Sequence, residues 1–325
     1  MADKNAQDWG NYWQGRSADG VGEALVGVGI EHNEKLGEFW AGCFSGLDKG
    51  SKILDMACGA GSVLRHANAN GFNDLSGVDI SGDAVAAMQK QFPNAKGIVA
   101  PVDATGLADG TYDFLVSQYG FEYAGSNRQV LAAAREMARL VADNGQFIAL
   151  CHIKGGGIEQ EVRGHLRDIK DMTKPGFISA AKAVFIALDA AEKSPTLVTK
   201  TAYEKATHLL TVPRNKLIAW LEAGQTSGSE IHKLGQHLYS GTIDLFSRRK
   251  AYSLADITGW LDGMQTEIDA YRGRMQSMRQ SALSEKDARN ILAIFADAQF
   301  NIDHPEPFYL AGDNKPAAWV LQARR

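Results

Sequence analysis

Two short runs of this sequence carry residue types that can hold a small polar ligand. In Lys52-Ile53-Leu54-Asp55-Met56-Ala57-Cys58-Gly59-Ala60-Gly61-Ser62, an apolar stretch with one acid inside it ends in small residues and two glycines. Glycine at 59 and 61 lets the backbone approach a ligand with no Cβ in the way. A helix starting there leaves its first N–H groups open. In the second run, Leu75-Ser76-Gly77-Val78-Asp79-Ile80 ends in a carboxylate, a suitable partner for two ribose hydroxyls. Each acid also has a blander use, Asp55 as a structural cap and Asp79 as a turn residue. Glu122 and His152 stand near the ends of later apolar runs, where either can take a proton from a reacting hydroxyl or ammonium. Their plainer roles are a solvated loop residue and a satisfied histidine closing a strand. Cys58 reads as a small packing residue rather than a nucleophile.

These residues need strands that end side by side, and the pattern from Lys52 supplies them. Strands are expected at Lys52–Ala57, Leu75–Ile80, Gly97–Val102, Tyr112–Gln118 and Gln146–His152. Between them lie helices: one reaches Ala69 and closes at Asn70-Gly71, one starts at the cap Ser81 and stops at Pro93, and one spans Asn127–Val141. Asp143-Asn144-Gly145 reads as the turn into the fifth strand. Short apolar runs separated by helices imply a parallel sheet covered on both faces. Gly155-Gly156-Gly157 looks like a hinge, after which helices are expected at roughly 158–173, 177–192, 201–221, 229–249 and 254–280. In the last, Ile257, Trp260/Leu261, Met264, Ile268, Tyr271, Met275 and Met278 form a heptad-like stripe that packs within the insert or joins a second copy. A capped helix from Ser284 and strands at Phe300–His304 and Ala317–Gln322 follow; the short connection makes those two strands antiparallel. The expected fold is α/β: a doubly wound, mostly parallel seven-stranded sheet with a terminal antiparallel hairpin, plus a helical insert. Its parts are an N-terminal arm at 1–50, a sheet domain at 51–154 and 282–325, and the insert at 155–281. The arm holds the aromatics Trp9, Tyr12 and Trp13 and a helix around Gly29–Phe44. These aromatics fill a seam against the main domain, or Tyr12 or Trp13 forms a wall of the active site.

Composition excludes several functions. Over 325 residues, 45% hydrophobic and 22% charged content is ordinary for a globular protein, and a net charge of −4 with no basic block argues against nucleic-acid binding. No run of 18 apolar residues suggests a spanning helix, and the first residues lack a signal-peptide pattern. Cys43, Cys58 and Cys151 are odd in number and far apart, which disfavours disulfides and cysteine zinc sites. No metal-ligand cluster stands out, so no metal is expected. A cytoplasmic location is.

This layout resembles the class I S-adenosylmethionine-dependent methyltransferases over Lys52–His152 and Ser284–Arg325, somewhat under half of the chain. Asp55-Met56-Ala57-Cys58-Gly59-Ala60-Gly61 is similar to the family's first motif, with Ala57 in place of its first glycine. The resemblance implies that the Gly59–Gly61 backbone holds the methionine part of S-adenosylmethionine, with Asp55 near its amino group. It implies that Asp79 binds the ribose hydroxyls and that Ile80 packs on adenine. Asp103 and the Ala104 N–H would then meet the adenine edge, and Gln118 would stand between cofactor and substrate. A nicotinamide fingerprint needs a third glycine where this chain has Leu64.

The expected function is therefore methyl transfer from S-adenosylmethionine to a small-molecule acceptor, a metabolite or lipid precursor, with Glu122, His152 and Tyr12 as catalytic candidates. After the fourth strand, Ser117-Gln118-Tyr119-Gly120 replaces the Asn/Asp-Pro-Pro-Tyr/Phe run of many enzymes that methylate exocyclic nitrogens. That disfavours a nucleic-acid acceptor. The insert is expected as a lid over the substrate, or as the surface of a homodimer. Two alternatives stand beside this reading: an NAD(P)-dependent oxidoreductase on a similar sheet, and a non-catalytic cofactor-binding scaffold acting through its insert.

Overall fold

The computed structural model describes residues 30–224 and 229–325, apart from 311 and 313. The expectations for Trp9, Tyr12 and Trp13 lie outside the described residues. Two compact units emerge, one comprising the chain up to Arg163 together with Arg274–Arg325, the other Gly164–Gly273.

In the first unit, α1 (Ile30–Phe44) precedes β1 (Ile53–Met56), α2 (Ser62–Ala69), β2 (Leu75–Asp79), α3 (Gly82–Gln91), β3 (Lys96–Val99) and β4 (Tyr112–Gln118). A 3-10 turn at Phe121–Ala124, α4 (Asn127–Leu140) and β5 (Val141–His152) follow. The strands lie in the order β3-β2-β1-β4-β5, every neighbouring pair parallel. Because all five run the same way, Met56, Asp79, Gln118 and His152 end on one edge of the sheet. Local chemistry sets the boundaries. The Ser81 hydroxyl caps α3 by accepting from the Ala84 N–H at 3.3 Å. Strand β3 stops at Val99, three residues short of the expected end, because Pro101 has no N–H to pair. Strand β5 starts earlier than expected. Its Asp143-Asn144-Gly145 stretch does turn, with Asn144 at φ 63°, but as a register shift within one strand, since Tyr112 pairs with Val141 and Phe114 with Gln146.

After the second unit the sheet is completed by α10 (Glu285–Asp297), β6 (Asn301–Ile302), β7 (Glu306–Phe308) and β8 (Ala318–Arg324). Strand β8 lies antiparallel to β5 from Gln146↔Arg324 to His152↔Ala318. Both β6 and β7 pair with its other side, giving eight strands. The expected single arm is split in two because Pro305 interrupts the ladder, as Pro does on an edge strand. Phe147 and Phe295 stack at 4.4 Å in the core between the sheet and α10. On α1, Leu36, Trp40 and Phe44 recur every four residues and are buried, with the Phe44 ring 5.4 Å from those of Phe72 and Phe114.

Helices α5 (Gly157–Thr173), α6 (Phe177–Lys193), α7 (Leu197–Ala223), α8 (Glu230–Ser247) and α9 (Leu254–Ser281) make up the long insertion, and the unit divisions fall inside α5 and α9. Within the helical unit, Ile257, Leu261, Met264, Ile268 and Tyr271 are buried, so that stripe is filled by the chain's own residues. The His165 ring nitrogen Nδ1 meets the Tyr271 hydroxyl at 2.5 Å. By contrast, α7 leaves Leu197, Val198, Leu209 and Val212 exposed. In the sheet unit, the departing and returning segments are joined: Leu283 N–H donates to the His152 carbonyl at 2.7 Å, and Lys154 N–H to the Leu283 carbonyl at 2.9 Å.

Candidate active site at the carboxyl ends of the strands

The turn after β1 is built from left-handed backbone. Ala57, Gly59 and Gly61 have φ of 57°, 52° and 86°. Glycine takes this region freely, whereas Ala57 holds it at roughly 1 kcal/mol of strain. The need for glycine at 61 is structural as well as ligand-directed. A Cβ there would lie 2.9 Å from Met88 Cγ and 3.1 Å from Phe92 Cε2. Cys58 is buried, its N–H donates to the Val78 carbonyl at 2.9 Å, and its Sγ fills the space beside Gly77. Burial pushes its thiol well above the ordinary range, as expected of a packing residue. The β4 end presses on the same turn. A Cβ on Gly120 would meet Ala57 Cβ at 2.7 Å and the Ala57 carbonyl at 2.9 Å. Ser117 ties the two strands together by donating its hydroxyl to the Met56 carbonyl at 2.6 Å.

Two carboxylates flank this turn. Asp55, 1% exposed, has an Oδ2 with no hydrogen-bond partner among the described residues. Burial, and then repulsion from Asp79, hold its carboxyl well above the usual range. Asp79 is pinned: Oδ2 accepts from the Gly59 N–H at 2.9 Å and Oδ1 from the Ser81 N–H at 2.8 Å. Desolvation outweighs these bonds, so its pKa is raised as well. A carboxylate offers about four lone-pair sites, so both oxygens keep room for a ligand hydroxyl. Next to it, Ile80 is 49% exposed, an apolar side chain open to a flat partner. Asp103 and Ala104 follow β3 in a loop, where the Ala104 N–H closes a turn onto the Pro101 carbonyl at 3.1 Å. That N–H must be released before it can meet a ring nitrogen.

Gln118, at the end of β4, accepts through Oε1 from the Trp40 indole N–H of α1. The sequence marks Trp40 only as one of a set of apolar residues on a helix face, and nothing in that spacing points to its N–H. Beyond Gln118, Tyr119 takes φ 51° and donates its N–H to the Leu150 carbonyl at 2.8 Å. This backbone reversal drops the 3-10 turn onto the end of β5. There Glu122 (1% exposed) and His152 (2%) meet in the interior. Glu122 Oε1 lies 3.1 Å from the His152 N–H and 2.8 Å from its Nδ1. The Tyr123 hydroxyl lies 3.4 Å from the same Nδ1, and the Tyr119 ring packs 4.5 Å from the imidazole. Burial, with Glu122 and Tyr119 nearby, keeps the Tyr123 phenol protonated far above its ordinary pKa. The structure therefore brings Glu122 and His152 into one pair, whereas Tyr12 lies outside the described residues.

The residues present fit S-adenosylmethionine. A buried acid with an unpartnered oxygen suits a cationic group, Asp79 suits ribose hydroxyls, and exposed Ile80 suits the adenine face. Among the described residues no helix is long and apolar enough to cross a membrane, and no group of His, Cys, Asp and Glu side chains could hold a metal ion.

Comparison with known proteins agrees with the sheet's layout. Residues 53–145 match the family model of a methyltransferase domain. No curated protein matches the chain. Among solved structures it is similar to the YcgJ protein of Bacillus subtilis, at 21% identity over 43% of this chain and 60% of that one, with a TM-score of 0.35. A second is the geranyl diphosphate C-methyltransferase of Streptomyces coelicolor A3(2), solved with Mg2+, geranyl diphosphate and S-adenosyl-L-homocysteine: 14% identity, 46% and 66% coverage, TM-score 0.38. A third is DesVI of Streptomyces venezuelae, at 22% identity, 39% and 53% coverage, TM-score 0.34. The chain thus spans less than two thirds of the length of these structures.

Proposed function

We propose that this chain is an S-adenosylmethionine-dependent methyltransferase acting on a small organic molecule. The observation that carries the reading is the buried, unpartnered Asp55 oxygen beside a left-handed turn whose Gly59 N–H is already tied to Asp79. The methyltransferase-domain match over 53–145 supports it. Bound there, S-adenosylmethionine supplies a methyl group on a positively charged sulfur, already a good leaving group.

The protein's part is mainly alignment and exclusion of water. In this reading Asp55 faces the ammonium of the methionine portion, the Gly59–Gly61 backbone supports it, and Ala57 shapes the turn. Asp79 accepts from the ribose hydroxyls, Ile80 covers the adenine, and Asp103 with the Ala104 N–H reads its edge. Gln118, held by Trp40, separates the cofactor from the acceptor. Glu122 and His152 serve the acceptor side, with Tyr12 as a further candidate wall. The helical insertion, whose two ends are bonded together at His152 and Leu283, is assigned the part of a substrate lid. A homodimer through that insertion would use exposed apolar residues such as Leu209 and Val212 on α7. A cytoplasmic location completes the reading.

Calorimetry with S-adenosylhomocysteine, and with NAD as the control, tests the assignment. Saturable binding of the first and none of the second is expected. Binding of NAD alone would replace the reading with the oxidoreductase one.

A further inference from the structure

The geometry points to a proton-bearing acceptor: His152 takes a proton from a hydroxyl or ammonium group of the substrate through Nε2, and Glu122 is the positioning residue that keeps that nitrogen free. This inference rests on the methyltransferase reading of the same site.

The tautomer follows from one oxygen. Glu122 Oε1 accepts from the backbone N–H of His152 at 3.1 Å, a donor whose identity is fixed. The same oxygen stands 2.8 Å from Nδ1. An oxygen already accepting one N–H accepts here too, so Nδ1 carries the hydrogen and Nε2 is left with its lone pair. That Nε2 is buried and has no partner among the described residues, as is Glu122 Oε2. Buried polar atoms in folded proteins are nearly always bonded, so an orphaned acceptor of this kind calls for a donor from outside the chain.

Position supports the same role. In the sheet register Gln118 stands opposite Leu150, and His152 is two residues further along β5 on the same face. At about 3.3 Å per residue this places it about 7 Å beyond the cofactor-side glutamine, where an acceptor belongs. The groups around the imidazole are Glu122 and Tyr123 from the 3-10 turn, Tyr119 from the end of β4, and Cys151 beside it in β5. Burial leaves Tyr123 and Cys151 neutral, so Glu122 is the anion that can balance an imidazolium.

The step balances as follows. A lone pair on the acceptor oxygen or nitrogen forms the new bond to the methyl carbon. The carbon–sulfur bond breaks, and its electron pair stays on sulfur as a neutral thioether. The acceptor's proton passes to Nε2, and the imidazolium so formed faces the Glu122 carboxylate until solvent removes the proton.

The test uses the full chain labelled with 15N-histidine and saturated with S-adenosylhomocysteine, with His152→Asn to assign the resonance. Nε2 of His152 is expected to resonate as an unprotonated ring nitrogen at neutral pH, with the hydrogen on Nδ1. In Glu122→Gln the two tautomers should mix. A hydrogen on Nε2 in the wild-type complex overturns the inference. A second measurement follows methyl transfer from labelled S-adenosylmethionine to phenols, alcohols and primary amines, each paired with a thioether or tertiary amine of similar skeleton. Turnover of the proton-bearing members, with kcat lowered about 10²-fold or more in His152→Asn at unchanged S-adenosylhomocysteine affinity, supports it. Turnover confined to the proton-free members, or an unaffected variant, refutes it. Failure of the wild-type protein to bind S-adenosylhomocysteine strikes the methyltransferase reading instead and leaves the tautomer result standing by itself.

Discussion

Replacing Asp55 by Asn separates what this acid does for the fold from what it does for a ligand. In the free protein its carboxyl is held well above the ordinary range, by burial first and Asp79 second, with Oδ2 unpartnered. A group whose folded pKa is raised favours the native state fully below the unfolded value, about 3.9 for Asp, and that favour is lost as pH rises through the folded pKa. Near neutral pH the ionised acid therefore burdens the apo protein, and a neutral amide of the same shape relieves it. An unsatisfied buried polar group costs about 1–3 kcal/mol, so Asp55→Asn should stabilise the apo protein by at least about 1 kcal/mol. That corresponds to about 2–4 °C in Tm for a unit of this size. The gap should close as pH falls toward 4. Binding moves the other way. Losing a hydrogen bond to a charged partner costs about 1.5–3 kcal/mol, so Kd for S-adenosylhomocysteine should rise roughly 10- to 100-fold. Differential scanning calorimetry from pH 4 to 8 and titration calorimetry at pH 7.5 measure both. A variant of lower Tm with unchanged affinity would refute the reasoning, since Asp55 would then be a structural anchor.

Three further outcomes are expected. Asp79→Ala should weaken S-adenosylhomocysteine by about 1.5–3 kcal/mol in titration calorimetry, and it should also lower Tm, because the Gly59 and Ser81 N–H groups lose their acceptor. In Gly120→Ala the new Cβ collides with Ala57, whose backbone has little room to yield. Overpacking of this kind costs about 1–3 kcal/mol, read by urea denaturation, with cofactor affinity falling as the turn shifts. Trp40→Phe keeps a ring in the core but removes the donor to Gln118. A stability loss of about 1 kcal/mol in the same denaturation assay is expected, and an unchanged midpoint would show that the bond contributes nothing.

Much of the sheet was legible because its causes are local. Apolar runs of strand length, the cap Ser81, and the capping box of Ser284 with Asp287 fix where elements begin. Strand ends were less legible where one proline acts through the ladder, as Pro101 does on β3 and Pro305 on the edge strand. The register shift at Asn144 depends on which residues of β4 lie opposite, so a turn-type tripeptide could not reveal that the strand continues through it.

The site divides along the same line. Asp55, Gly59, Gly61 and Asp79 are readable from sequence because a strand, a tight turn and a helix lie consecutively, and short-range geometry dictates which residue types the turn accepts. Only the tertiary structure joined Trp40 to Gln118 and Glu122 to His152, partners 78 and 30 residues apart. It also settled that the stripe on α9 is filled from within the chain. Periodicity shows which face of an element is apolar but not what covers it. Which donor meets which acceptor is decided by strand order and by how helices lie across the sheet, and no local pattern carries that information.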